Sequence, residues 1–129
     1  MAETMMFELV SPAKKLASAE AEAVTIPGMD GDLTAMANHA PFLTTLRPGY
    51  VNVRNGSAED KYFVTGGFAE ISNNTVSVLA EQAVEGDVEP SWLDTCIAEA
   101  EKALEDAGDD RKQAARQRVD DFATIKSAI

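Results

Sequence analysis

The chain has 129 residues, with 11 Lys or Arg against 22 Asp or Glu, for a formal net charge of −11. That length fits one compact domain or one domain with an appendage, and the charge excludes nucleic acid and anionic lipid as direct partners, because binding phosphates demands concentrated Lys and Arg to replace released counterions. The single cysteine, Cys96, cannot close an internal disulfide, so an apolar core must hold the fold, and the 45% hydrophobic composition allows one.

Met6 to Val10 is the first strand-length run and stops at Ser11-Pro12. Glu22 to Ile26 stops at Pro27-Gly28, and Leu33 to Met36 runs out before Asn38-His39. Tyr50 to Arg54 meets Asn55-Gly56, a dipeptide suited to positive φ at both central turn positions, and Lys61 to Thr65 follows, which predicts a hairpin. Gly66-Gly67 predicts a bend or bulge where no side chain fits. Phe68 to Ile71 and Thr75 to Leu79 flank Ser72-Asn73-Asn74 as a second hairpin. Eight or more short strands in the first 84 residues predict a compact antiparallel β-sandwich.

Composition breaks after Val84: 15 charged residues lie in the first 84 positions and 18 in the remaining 45, which carry −6 of the net charge. Of the eight glycines and five prolines only Gly86, Pro90 and Gly108 lie beyond the break, and Ala, Glu, Lys, Arg and Gln take over. The fold class is therefore α+β, with a β-sandwich over residues 1–86 and an antiparallel two-helix hairpin over 87–129. Leu93, Cys96, Ile97, Ala100 and Leu104 recur at helical spacing, and Ser91 with Asp94 resembles a capping box. Gly108 marks a stop, and Asp109 and Asp110 precede the second helix, whose packing stripe is Ala115, Val119, Phe122 and Ile125 or Lys126. The apolar side chains of this hairpin barely match the entropy of ordering it, so it should rest on another surface and be able to change partner.

The catalytic inventory is thin. His39 is the only histidine and reads as a structural or interface residue; as the base of a small hydrolase it would need a pocket and a nearby nucleophile. One His and one Cys on different regions give no zinc spacing, and Asp30-Gly31-Asp32 lacks the later ligands of a calcium loop and reads as a strand-linking turn. No phosphate-loop, dinucleotide or nucleophile-elbow motif occurs, so neither cofactor nor metal is expected. No apolar run reaches the roughly 18 to 20 residues of a membrane span, and residues 1–6 lack the regions of a signal peptide, which predicts an intracellular protein without direct bilayer insertion.

Several stretches together resemble the epsilon subunit of the rotary F-type ATP synthase: Gly31-Asp32-Leu33, Asn38-His39-Ala40-Pro41-Phe42-Leu43-Thr44-Thr45-Leu46-Arg47-Pro48-Gly49, Phe63-Val64-Thr65-Gly66-Gly67-Phe68-Ala69-Glu70 and Val76-Ser77-Val78-Leu79-Ala80. The resemblance implies a non-catalytic subunit of the rotor's central stalk, seated on the gamma subunit against the ring of c subunits at the cytoplasmic face of a bacterial inner membrane. It places Gly31, Asp32, His39, Ala40 and Pro41 toward gamma and the c ring. In several bacterial members the tail extends along gamma toward the alpha and beta subunits and inhibits ATP hydrolysis; Arg111, Lys112, Arg116 and Arg118 are the candidates for such contacts here. Some members bind ATP through a pattern that opens the first helix with Ile or Leu, Asp, two residues, Arg, Ala. In this chain Leu93-Asp94-Thr95-Cys96-Ile97-Ala98 has Ile97 at the Arg position, which removes the cation best suited to phosphate and leaves Asp94, Arg116 and Arg118 as weak nucleotide candidates. The alternative reading is a stand-alone nucleotide-sensing regulatory module.

Overall fold

The computed structural model describes residues 3–29, 31–38, 40–72 and 74–128, and the chain divides into two compact units, Met1–Asp87 and Val88–Ile129. The first unit is built of ten strands: β1 (Met5–Val10), β2 (Lys15–Ala21), β3 (Ala23–Gly28), β4 (Gly31–Met36), β5 (Phe42–Leu46), β6 (Gly49–Asn55), β7 (Ala58–Val64), β8 (Gly67–Ile71), β9 (Thr75–Ala80) and β10 (Ala83–Glu85). They pair in the order β10-β7-β6-β3-β5-β8-β9-β1-β2, with β4 on β3. Its two halves join through one residue pair between β3 and β5, Gly28 with Leu46, and the sheet folds over there into the expected sandwich. One pair departs from the antiparallel expectation: β1 lies parallel to β9.

Alternation drives the packing. In β1 the sequence Met-Met-Phe-Glu-Leu-Val buries Met5, Phe7 and Leu9, and in β9 Val76, Val78 and Ala80 point inward. With Val24, Ile26, Val51, Val64 and Ile71 they form one apolar core. Three strands lie outside the runs named above: β2, β5 and β10. In β2 (Lys-Leu-Ala-Ser-Ala-Glu-Ala) only Ala21 is fully buried, and the segment is extended because it pairs along its length with β1.

The β6–β7 turn is displaced by one residue from its expected place. Asn55 pairs with Ala58 as the last strand position, and Gly56 takes the positive φ, 64°, while Asn55 does not. The Gly56 N–H donates to the Glu22 carboxylate at 2.9 Å, an anchor outside the turn that selects this register. Gly66 and Gly67 both have positive φ, 140° and 135°, where the chain leaves β7 for β8.

The second unit consists of α1 (Pro90–Asp106) and α2 (Lys112–Ala128), an antiparallel hairpin. The Ser91–Asp94 capping box does not form: Glu89 is the cap, without a side-chain hydrogen bond, and Pro90 opens the helix because its fixed φ and missing N–H suit the first turn. Nor does Gly108 close α1 in a left-handed cap. Ala107, extended at φ −74°, ends it through its N–H to the Leu104 carbonyl. Leu93, Cys96, Ala100 and Phe122 are the fully buried positions of the two helices, and Val119 and Ile125 are half-buried beside them.

Candidate partner-contact surfaces

Gly31 and Asp32 open β4 just after its turn from β3. Gly31 has φ 129°, a conformation that favours glycine. Asp32 points to solvent, its side chain 74% exposed, with one guanidinium nitrogen of Arg47 at 3.9 Å. Arg47 Nε also donates to the Gly28 carbonyl at 2.9 Å. Ala40 and Pro41 are exposed and precede Phe42, at the far end of β5 from Leu46, about 13 Å away at the usual rise of a strand. The candidates therefore fall into two groups, one at each end of β5. His39 lies outside the described residues, so its role as an interface residue or as a base has no geometry here.

A second surface was not anticipated. Leu43, Phe68 and Leu79 are 68%, 54% and 51% exposed on the outer face of the half-sheet β5-β8-β9-β1. Register places them together, since Thr45 pairs with Phe68, Phe68 with Leu79, and Leu79 with Val10. Between Val10, Pro12, Phe68 and Leu79 runs a shallow apolar groove of about 320 Å³. The sequence did hold a signal: in Gly-Phe-Ala-Glu-Ile and Thr-Val-Ser-Val-Leu-Ala, Phe68 and Leu79 fall on the phase that Glu70 and Ser77 mark as outward. Apolar side chains out of phase on neighbouring strands mark a face awaiting a partner.

On the hairpin, Arg111, Lys112 and Arg116 are exposed, and Arg118 is half-buried with its guanidinium 5.3 Å from the centre of the Phe122 ring. Asp94 is bound by Lys126, which closes the end of the hairpin away from its loop. Arg118 is eight residues back along α2 from Lys126, roughly 12 Å at the rise of a helix, so the structure does not bring Asp94 and Arg118 to one point. Burial, chiefly, and the nearby Glu99 push the Cys96 thiol up, against a smaller opposing effect of Arg118, which keeps it protonated and unreactive near neutral pH. Among the described residues no group of three or more His, Cys, Asp or Glu could hold a metal ion, and no helix is long and apolar enough to cross a membrane.

An open apolar face, a presented carboxylate and a hairpin with a basic edge are features suited to contacts with other chains. Comparison with known proteins gives the family. The model of the ATP synthase delta/epsilon chain β-sandwich domain matches residues 4–86. The ATP synthase epsilon chain of Cereibacter sphaeroides is 44% identical over 129 residues, covering 99% of this chain and 98% of that one. That of Ruegeria sp. is 49% identical over 114 residues, 88% of this chain and 83% of its own. The fold also matches a chain of the mitochondrial ATP synthase of Euglena gracilis, resolved with its F1 part and c-ring, at TM-score 0.72 and 21% identity over 97% of this chain and 81% of that one. A chain in the central stalk and c-ring of the Tetrahymena thermophila enzyme matches at TM-score 0.61 and 16% identity, over 96% and 97%. The chain belongs to the ATP synthase delta/epsilon family, with the epsilon chains, which are non-catalytic accessory subunits.

Proposed function

We propose that this chain is a rotor subunit of the central stalk of a proton-translocating F-type ATP synthase, coupling gamma to the c ring as a peripheral subunit at the cytoplasmic face of a bacterial inner membrane. The observation that carries the reading is the exposed apolar face around Phe68 and Leu79. Such a face, on a family whose relatives are synthase subunits, is suited to a large, permanent protein contact, and gamma is the partner assigned to it. The turn at Gly31 and Asp32 and, at the other end of β5, the His39-Ala40-Pro41 segment are assigned to contacts with gamma and the c ring, where Asp32 offers a charge to a basic c-ring loop.

The hairpin is the regulatory part. Its exposed Arg111, Lys112 and Arg116, with Arg118, form a basic edge suited to an acidic surface on the alpha and beta subunits once the helices extend. No cofactor enters this role. Stand-alone nucleotide sensing is less favoured, because Ile97 replaces the expected Arg and Lys126 already engages Asp94.

Co-purification of gamma and c subunits with the tagged chain tests the assignment. Phe68→Ser with Leu79→Ser should reduce recovered gamma by an order of magnitude or more, as for loss of buried interface anchors, with the sandwich still folded. Asp32→Lys should weaken incorporation beside the c ring. Wild-type recovery of both partners in all variants would refute the placement of these surfaces.

A further inference from the structure

Arg47-Pro48-Gly49, between β5 and β6, is a bend in the sandwich that neither the core nor the proposed contacts explain. Three interactions converge on Arg47, and a fourth joins the same two segments beside it. The Arg47 N–H donates to the Pro27 carbonyl at 2.9 Å, and the Met29 N–H donates to the Thr45 carbonyl at 3.1 Å. The Arg47 side chain donates from Nε to the Gly28 carbonyl at 2.9 Å and brings another nitrogen to 3.9 Å from Asp32. A side chain at Gly28 would stand 2.8 Å from the Gly31 carbonyl oxygen, so the two ends of the β3–β4 turn are already in close contact. One guanidinium thus fastens the carbonyl where the turn begins and faces the carboxylate where it ends.

We infer that Arg47 is a positioning residue for partner contact: it pins the β3–β4 turn and sets the direction in which Asp32 presents its carboxylate to a cationic group of the c ring. The inference rests on the proposed c-ring contact of Asp32 and adds the residue that acts through it. A planar guanidinium suits the task because its Nε and terminal nitrogens donate in fixed directions at once, which a lysine ammonium cannot reproduce. Only 32% of the Arg47 side chain is exposed against 74% for Asp32, so the guanidinium is the held member of the pair and the carboxylate the one free to engage a partner cation.

The test has two arms. In the isolated full chain, Arg47→Met should speed hydrogen exchange of the Met29 amide by about ten-fold, the loss expected for one charge-assisted hydrogen bond, and Arg47→Lys should give an intermediate value. In reconstituted rotor assemblies, Arg47→Met should reduce incorporation several-fold in an otherwise wild-type chain and have little further effect when combined with Asp32→Asn, because both changes act on one contact. Unchanged Met29 exchange overturns the pinning. Faster exchange with additive losses in assembly makes Arg47 merely structural and overturns the inference. Faster exchange with normal assembly in Arg47→Met and in Asp32→Lys alike overturns the c-ring reading beneath it.

Discussion

At Gly67 a Cβ would lie 2.0 Å from the Leu79 carbonyl oxygen, and the backbone has φ 135°, so the position combines strain with a backbone clash that no rotamer relieves. Gly67→Ala should therefore destabilise the sandwich by about 3 kcal/mol or more, with a fall in thermal midpoint well beyond that of a surface substitution. Gly31, with similar φ but nothing within 4 Å of a built Cβ, would show strain alone and a smaller loss. The Gly66-Gly67 pair was legible in the sequence as a place that excludes side chains. That the excluding atom is a β9 carbonyl was not, because it depends on the register of β8 against β9. Phe68 shows the opposite limit: its outward phase is written in the strand, but its neighbours Thr45 and Leu79 come from strands that only pairing brings alongside.

Among the elements, the hairpin has the smallest reserve. Phe122 is the only fully buried residue of α2, and truncating such a ring commonly costs about 3 to 5 kcal/mol. Phe122→Ala should melt most of α2, read as lost helical circular dichroism with the strand signal retained. Lys126 closes the hairpin against Asp94, yet both side chains are about half exposed, so this pair contributes only ~0 to 1 kcal/mol. Lys126→Gln should leave helicity nearly unchanged while speeding exchange at the last turn of α2, and combining Lys126→Asp with Asp94→Lys should restore protection. The period of the apolar positions identified both helices, because helical spacing is local. Their caps were misread for a local reason too: Pro90 outcompetes Ser91 for the start, and the Ala107 N–H satisfies a carbonyl that a left-handed glycine would otherwise serve.

For the whole molecule, the change of composition at Val84 lies close to the division between Asp87 and Val88. The sandwich has its own core, drawn entirely from residues before that division, so it should fold without the tail. Deleting residues 88–129 should accordingly leave assembly with gamma and the c ring intact while raising ATP hydrolysis by the synthase. Unchanged hydrolysis would show that the tail is no brake in this enzyme. The test separates the two roles proposed for the chain because each is assigned to a different unit.

The break in composition and the short alternating runs determined the class of fold, since composition and periodicity are properties of the chain itself. Local patterns in β1, β9, α1 and α2 likewise carried their own burial. Tertiary structure decided the rest. It made a strand of the weakly patterned β2 by pairing it with β1, gathered Leu43, Phe68 and Leu79 onto one open face, and brought Arg47 to Asp32 across 15 positions of sequence. Those outcomes depend on register and on sheet order, and both are settled by contacts between distant segments that compete for the same hydrogen bonds and the same core.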